Sequence, residues 1–477
     1  MDYHCKNFTF IFLLFFSMAL LGQDFPGSTW DHFKYPTFKG WDKNEMEDLR
    51  NYIADSTAIT AVMIVHQGKS IFEYGNLSEN SYIASCRKSV MAMLYGKYVA
   101  NGTIKLNKTL ESLQIGQVEP LLAMEKKATV KDILSSRSGV FLPASNGGDM
   151  LHLAPERGSV APGSFWLYSN WDFNMAGYIF EQETGQNIYD EIERQLAIPL
   201  QMQDWNRSLQ QKSGDKLASD VMAYHMWFSA RDMARIGLLM LENGTWNGTQ
   251  LIAKDWVKEM TTPKSTFEEL DTIAPFLKET GAWHSYGYMW WLWEHPDNEA
   301  LEGAYTANGA YGQTITVLPK SNTVLIVKTN DLYERQGVNP SEIIDRVSRI
   351  YQEEKAKAFK PMAKHLETND VQGFIKSYAQ MDKTPFDTDF QYVLNSMGYS
   401  YLNQGDYENA MAIFKLNISQ YPKAWNVYDS LGEAYFFQGN YEKAAESYRK
   451  AKALLDQNDQ GNAKRIAHIL DRIARKN

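Results

Sequence analysis

The chain has 477 residues, 44% hydrophobic and 22% charged, a balance that excludes global disorder. A formal net charge of −9 with no basic block excludes the phosphate-neutralising face of a nucleic-acid binder. Two cysteines exclude a disulfide-stapled scaffold or a multi-cysteine metal centre.

The first element is the apolar run from Phe8 to Gly22. It is shorter than the roughly 18 residues that a spanning helix needs. Lys6 precedes it, and Gly22 followed by Gln23 offers a cleavage point. This is the layout of a secretory signal peptide over residues 1–22, with an uncleaved anchor as the alternative. Cleavage removes Cys5 and leaves Cys86 as the only thiol. The mature protein is expected to be exported, periplasmic or secreted, without a stable membrane span or a disulfide.

A Trp/Phe-rich lead, Gly27 to Trp41, precedes an expected helix over Asn44–Ser56. Ala58–His66 and Lys69–Tyr74 read as two strands around the turn Gln67-Gly68. Helical patterns follow at Ser85–Asn101, Val130–Ser136, Asn170–Thr184 and Ser229–Asn243. Strand character returns at Gly287–Glu294 and Gln313–Thr329. Strands at both ends with helices between them suit one sheet closed from the two ends of the sequence.

Composition changes near Tyr351. Gln352–Lys364 is rich in Lys, Glu and Ala and contains Pro361, as in a linker or linking helix. Beyond it, residues pair at an offset of 34: Gly398 with Gly432, Tyr401 with Tyr435, Gly405 with Gly439, Ala410 with Ala444, and Phe414 with Tyr448. Small residues at helix crossings and aromatics in the groove between them resemble the tetratricopeptide repeat. Two copies fall short of the usual minimum of about three. Asp370–Met381 therefore reads as a degenerate preceding helix. Ala463, Ile466, Ala467, Leu470 and Ile473 read as the stripe of a capping helix. A generic helical bundle docked on the first domain is the alternative. The repeats imply a possible protein partner.

No His-Glu-x-x-His, Gly-x-Ser-x-Gly, phosphate-binding loop or Rossmann fingerprint occurs. What remains is Ser85-Cys86-Arg87-Lys88 at the start of an expected helix, with the lysine one turn after the serine. A desolvated lysine can accept the serine proton during attack on a carbonyl. The pattern is weak alone: Ser213-Gly214-Asp215-Lys216 repeats it, and an isolated Ser85 is better read as a helix N-cap. A second motif, Tyr168-Ser169-Asn170, follows a short apolar piece that includes Trp166. A tyrosine hydroxyl beside an ammonium can be partly or fully ionised and can then shuttle the proton, and Asn170 can orient the substrate carbonyl and the lysine together.

With these two motifs, residues from Thr57 to Ile350 resemble the serine hydrolases of class C β-lactamase type. That superfamily includes D-amino-acid peptidases, family VIII-like esterases and 6-aminohexanoate-dimer hydrolases. Thr129–Leu134 with Ser138-Gly139, Ser229–Arg235 leading into Gly237-Leu238-Leu239, and Gly309–Gln313 running into TITVLP carry the same resemblance. It implies an α/β (α+β) fold of β-lactamase/transpeptidase type over residues 24–355: an antiparallel sheet flanked by helices, with a helical insertion. An all-α repeat-like module covers residues 360–477. The resemblance also implies Ser85 as nucleophile, Lys88 as its activating partner, Tyr168 as proton shuttle and Asn170 as the asparagine of Tyr-x-Asn. The oxyanion hole would be the N–H groups of Ser85 and Ala310. Asp132 and Arg231 take structural roles, and neither a metal nor an organic cofactor is expected.

One departure stands out. β-Lactamases of this type carry Lys-Thr-Gly on the strand bordering the site, and several peptidases carry His-x-Gly. Here the stretch from Gly303 is GAYTANGAYGQ, with neither Lys nor His. Arg157 or Lys320 would have to bring a cation from elsewhere. Gly309 and Tyr311 are expected to face substrate. Trp166 and Tyr305, with Trp290, Trp291 and Trp293, either line an apolar acyl pocket or pack the core. The expectation is hydrolysis of a small ester, amide or peptide through an acyl-enzyme on Ser85. The alternative is a non-catalytic sensor of peptide or cell-wall fragments that recruits a partner through its repeats.

Overall fold

The computed structural model describes residues 25–329, 339–383, 386 and 389–476; the expected signal peptide and its cleavage point lie outside these. The first domain is built on a seven-stranded antiparallel sheet. Its strands are β1 (Ala61–His66), β2 (Lys69–Gly75), β3 (His284–Tyr286), β4 (Trp291–Trp293), β5 (Tyr305–Gly309), β6 (Gln313–Leu318) and β7 (Thr323–Lys328). The spatial order is β2-β1-β7-β6-β5-β4-β3, so the N-terminal hairpin lies beside the last strand.

Helices cover both faces. α1 (Lys43–Ser56) is capped by Asp42, whose carboxylate accepts the N–H groups of Asn44 and Glu45. The sequence between the two groups of strands contributes α2 (Cys86–Ala100), α3 (Asn170–Thr184) and α4 (Ala230–Leu241), and α5 (Pro340–Ile350) closes the domain. Val62 and Ile64 of β1 join Leu325 and Val327 under α1 and α5, while Met63 and Val65 join Val324 and Ile326 under α4. Burial on both faces explains why β1 and β7 read as continuous apolar runs rather than alternating ones. At Gly237 a Cβ would come within 2.4 Å of Val324 Cγ1, so the missing side chain lets α4 lie close on the sheet.

Two strand expectations change. Of Gly287–Glu294 only Trp291–Trp293 is strand, because Met289 takes a positive φ of 60° and breaks the pleat. The stretch Gly309–Gln313 is not one strand either: Ala310–Gly312 form a tight turn with Tyr311 at φ 70°.

The C-terminal part is all helical: α6 (Glu353–Glu367), α7 (Val371–Gln380), α8 (Phe390–Leu402), α9 (Tyr407–Gln420), α10 (Trp425–Gln438), α11 (Tyr441–Leu454) and α12 (Gln460–Ala474). Gln352–Lys364 is therefore a linking helix. The offset of 34 has a steric cause. A Cβ on Gly398 would meet Phe414 Cε1 at 2.3 Å, and one on Gly432 would meet Tyr448 Cδ2 at 3.0 Å, so each helix pair crosses at a glycine under an aromatic ring.

The lead segment ties the two parts together. Phe38 is fully buried in the core of the helical module, 5.2 Å from the Phe374 ring and 5.9 Å from Phe359. Lys355 donates to Asp42 at 3.1 Å, and Lys39 pairs with Glu367 at 2.5 Å. Phe38→Ala is expected to destabilise the module by about 3–5 kcal/mol, the usual cost of truncating a buried Phe. A lower urea midpoint, read by far-UV dichroism, checks this.

Candidate active site

The chain enters α2 through Ala84, which has a positive φ of 48°. A non-glycine residue in the left-handed region costs of order 1 kcal/mol and persists only where packing over-determines it. This turn leaves Ser85 half-buried at the helix N-terminus. A serine here would ordinarily cap the helix, but the Ser85 hydroxyl makes no capping bond. It lies 3.0 Å from Lys88 Nζ instead.

α2 is buried around nearly its whole circumference, so Lys88 is only 1% exposed. Its Nζ donates to Tyr168 Oη at 2.8 Å and sits 4.1 and 4.2 Å over the rings of Tyr168 and Phe173. No carboxylate pairs with it among the described residues. Burial, followed by the field of Arg87, holds Lys88 well below the usual lysine range, with Asp149 acting in the opposite sense. Burial pushes the Tyr168 hydroxyl up. Desolvation thus works against an ionised tyrosinate–ammonium pair and favours the proton-accepting form of the lysine. Desolvation disfavours both charged forms at once.

Backbone bonds hold Tyr168 in place. Leu167 N–H donates to the Ser136 carbonyl at 3.0 Å, Ser136 Oγ donates to the Leu167 carbonyl, and Met150 N–H donates to the Tyr168 carbonyl at 2.9 Å. Ser169, rather than Ser85, is a true N-cap: its hydroxyl accepts Asp172 N–H at the start of α3. Cys86 faces away from the site, with Sγ 3.3 Å from both the Ala307 and Gln313 carbonyls. Burial pushes its thiol up to about 12, so it packs as a small apolar side chain. The second Ser-x-x-Lys copy is no site: Ser213 lies exposed in an extended segment and Lys216 is not on a helix with it.

Several other assignments change. Asn170 does not bond Lys88; its Nδ2 donates to the Gly147 carbonyl at 2.8 Å, and its Oδ1 is buried without a partner. Trp166 is fully buried against Tyr286 and Trp291. Tyr305 donates its hydroxyl to the Met240 carbonyl and packs on Trp290. Both are core residues that support the site from behind, not an acyl pocket. Arg157 forms a two-pronged pair with Glu125, and Lys320 sits among Glu299 and Glu302. Neither supplies the missing cation. Tyr311 is 41% exposed on the turn after β5. Gly309 packs directly against the turn into α2: a Cβ there would lie 2.6 Å from the Ile83 carbonyl oxygen and 3.2 Å from Cys86 N. Sequence reasoning missed Asp149, which accepts Asn170 N–H at 3.3 Å from a loop without any motif. Among the described residues no group of three or more His, Cys, Asp or Glu side chains could hold a metal. None of their helices is long and apolar enough to cross a membrane.

With this geometry in place, the comparison with known proteins decides the family. The Beta-lactamase family model matches residues 49–346, well over half of the chain. The chain belongs to this family. Tetratricopeptide repeat models match residues 396–424 and 425–458. An uncharacterized protein of Alkalihalophilus pseudofirmus is 23% identical over 281 residues, covering 54% of this chain and 76% of its own length. A protein of Bacteroides dorei DSM 17855, provisionally described as a β-lactamase, shares the fold with TM-score 0.50 at 17% identity, over 65% of this chain and 98% of its own. A protein of Bacillus anthracis, provisionally described as a 6-aminohexanoate-dimer hydrolase, gives TM-score 0.48 at 22% identity, over 67% and 82% of the two chains. The first domain thus has the β-lactamase/transpeptidase-like fold of a family of hydrolases.

The contact at Gly309 yields a prediction. Gly309→Ala places a methyl against backbone that cannot yield as a side chain can. Labelling of Ser85 by a serine-directed probe is expected to slow by roughly a hundredfold, as for a misplacement of about 1 Å. Labelling time courses, with urea melts as the control for folding, check it.

Proposed function

We propose that the protein is an exported serine hydrolase that cleaves an ester or amide through an acyl-enzyme on Ser85. The carrying observation is the chain of contacts from Ser85 Oγ to Lys88 Nζ at 3.0 Å and on to Tyr168 Oη at 2.8 Å, around a fully buried amine. The neutral amine of Lys88 takes the hydroxyl proton as Ser85 Oγ forms its bond to the substrate carbonyl carbon. The N–H groups of Ser85 and Ala310 receive the developing oxyanion. Tyr168 passes a proton from Lys88 to the leaving alcohol or amine as the scissile bond breaks. A water then attacks the acyl-enzyme, with the same lysine–tyrosine pair taking its proton and returning one to Ser85. Asn170 anchors the 146–147 loop beside this pair.

A fluorophosphonate probe tests the assignment. Labelling is expected in the wild type, lost in Ser85→Ala and largely retained in Cys86→Ala. The pH dependence follows from Lys88. Its proton affinity is lowered, so the accepting form survives to a lower pH than in a free lysine. Acylation is lost as pH falls through that lowered value and rises to a plateau above it. An acylation rate that instead fell with rising pH across neutrality would contradict a neutral-lysine base.

The substrate class follows from β5, which offers Ala307, Asn308 and Gly309 and no cation. A charge-assisted hydrogen bond to a substrate carboxylate is worth roughly 1.5–3 kcal/mol, or about ten- to a hundredfold in binding. Uncharged esters and amides are expected to be turned over faster than β-lactams. Steady-state kcat/KM for a short p-nitrophenyl ester against nitrocefin checks this. Export is checked by N-terminal sequencing of the secreted protein, expected to begin at Gln23.

A further inference from the structure

The seam between the two parts encloses a cleft of about 630 Å³ that shares no residue with the Ser85 site. Its walls come from the lead segment, the β1–β2 turn, the residue that follows α4, and α6. Two kinds of side chain line it without a partner: hydrogen-bond acceptors from the first domain and cations from the module.

His66, the last residue of β1, is 3% exposed. Thr323 Oγ1 donates to the Ser321 carbonyl at 3.0 Å, so it accepts from His66 Nδ1 at 3.2 Å. Nε2 is thereby left as an acceptor, and it is buried without a partner. Buried polar atoms rarely stay unpaired, so this one marks a place for a donor. Burial and the field of Lys39 hold the imidazole down at about 3, which keeps it neutral. Glu242, half-buried just after α4, adds a carboxyl group with no hydrogen-bond or ion-pair partner among the described residues. Tyr351, with its ring 5.4 Å from that of His66, adds a flat aromatic wall.

The opposite charge comes from α6. Lys360 and Lys364 both line the cleft one turn apart, a spacing at which like charges repel. Neither has a hydrogen-bond or ion-pair partner for its ammonium among the described residues. Two further lysines of the lining are matched: Lys39 by Glu367 at 2.5 Å and Gln67 at 3.0 Å, and Lys357 by Glu353 at 3.0 Å. Lys69 adds another ammonium from the β1–β2 turn.

We propose that this cleft binds a small polyhydroxylated anion, a sugar that carries a phosphate or a carboxylate. Its charge meets Lys360 and Lys364, its hydroxyls donate to His66 Nε2 and Glu242, and its ring lies against Tyr351. A bare anion leaves the acceptors unmet, and an uncharged sugar leaves the lysines unmet. Bound there, the ligand bridges the first domain and the module. The site stands independently of the reading of Ser85 as nucleophile.

Isothermal titration calorimetry of the full chain with glucose 6-phosphate and with glucuronate tests this, with glucose and inorganic phosphate as comparisons. At least one of the two sugar anions binds, and the tighter of the two identifies the charged group. Glucose and inorganic phosphate bind at least roughly tenfold more weakly. Lys360→Ala and Lys364→Ala, at exposed positions, each weaken binding by roughly tenfold, and His66→Phe weakens it further. Ser85→Ala binds as the wild type does. The proposal is overturned by the absence of heat with both sugar anions, by inorganic phosphate binding as tightly as they do, or by wild-type affinity when both lysines are replaced. Loss of binding in Ser85→Ala also overturns it, since the sugar anion would then occupy the Ser85 site. Should His66→Phe fail to fold, the lysine variants decide alone.

Discussion

The structure depends on one constraint: an amine must be kept out of water without being given a carboxylate. Lys88 is enclosed by its own helix, by the rings of Tyr168 and Phe173, and by the sheet behind α2. Desolvation penalises the ammonium, and nothing nearby neutralises it enough to compensate. That enclosure demands a central helix buried on every side, which in turn demands a sheet on one side of it and α3 on the other. The left-handed Ala84, the missing side chain at Gly309 and the hydroxyl of Ser85 left out of capping are local consequences.

The helical module obeys a simpler rule. Its helices cross at glycines beneath aromatic rings, and each pair needs its neighbour to bury the rest of its apolar face. With only two clear repeats, the array is completed by α6 and α7 on one side, α12 on the other, and Phe38 donated by the lead segment. The tetratricopeptide repeats give the protein a capacity for protein interaction on surfaces that share no residue with the Ser85 site. Clefts of about 630 Å³ at the seam with α6 and about 750 Å³ among α9, α10 and α11 are lined by neither Ser85, Lys88 nor Tyr168.

Charge was harder to read than position. A tyrosine next to a lysine suggests an ionised pair when both are imagined in water, and burial reverses that preference. The aromatic run at Trp290, Trp291 and Trp293 was equally open. Its members prove to be core: Trp290 and Trp291 join the cluster that holds Tyr168, and Trp293 joins the cluster under α1 and α5. Arg157 and Lys320 were candidates by charge alone, and acidic neighbours distant in sequence claimed both.

The amino-acid sequence by itself determined the elements that local periodicity encodes: α1 to α4 within a residue or two, the β1–β2 hairpin, and the 34-residue repeat. It also placed Ser85 and Lys88 one helical turn apart, since that distance depends only on helix geometry. The tertiary structure alone decided which distant groups meet that turn. Tyr168 reaches Lys88 because Ser136 and Met150 fix its strand-like segment, and Gly309 reaches Ile83 and Cys86 because β5 lies inside the sheet. Burial, which lowers the proton affinity of Lys88, is a property of the whole packed domain and has no local sequence signal.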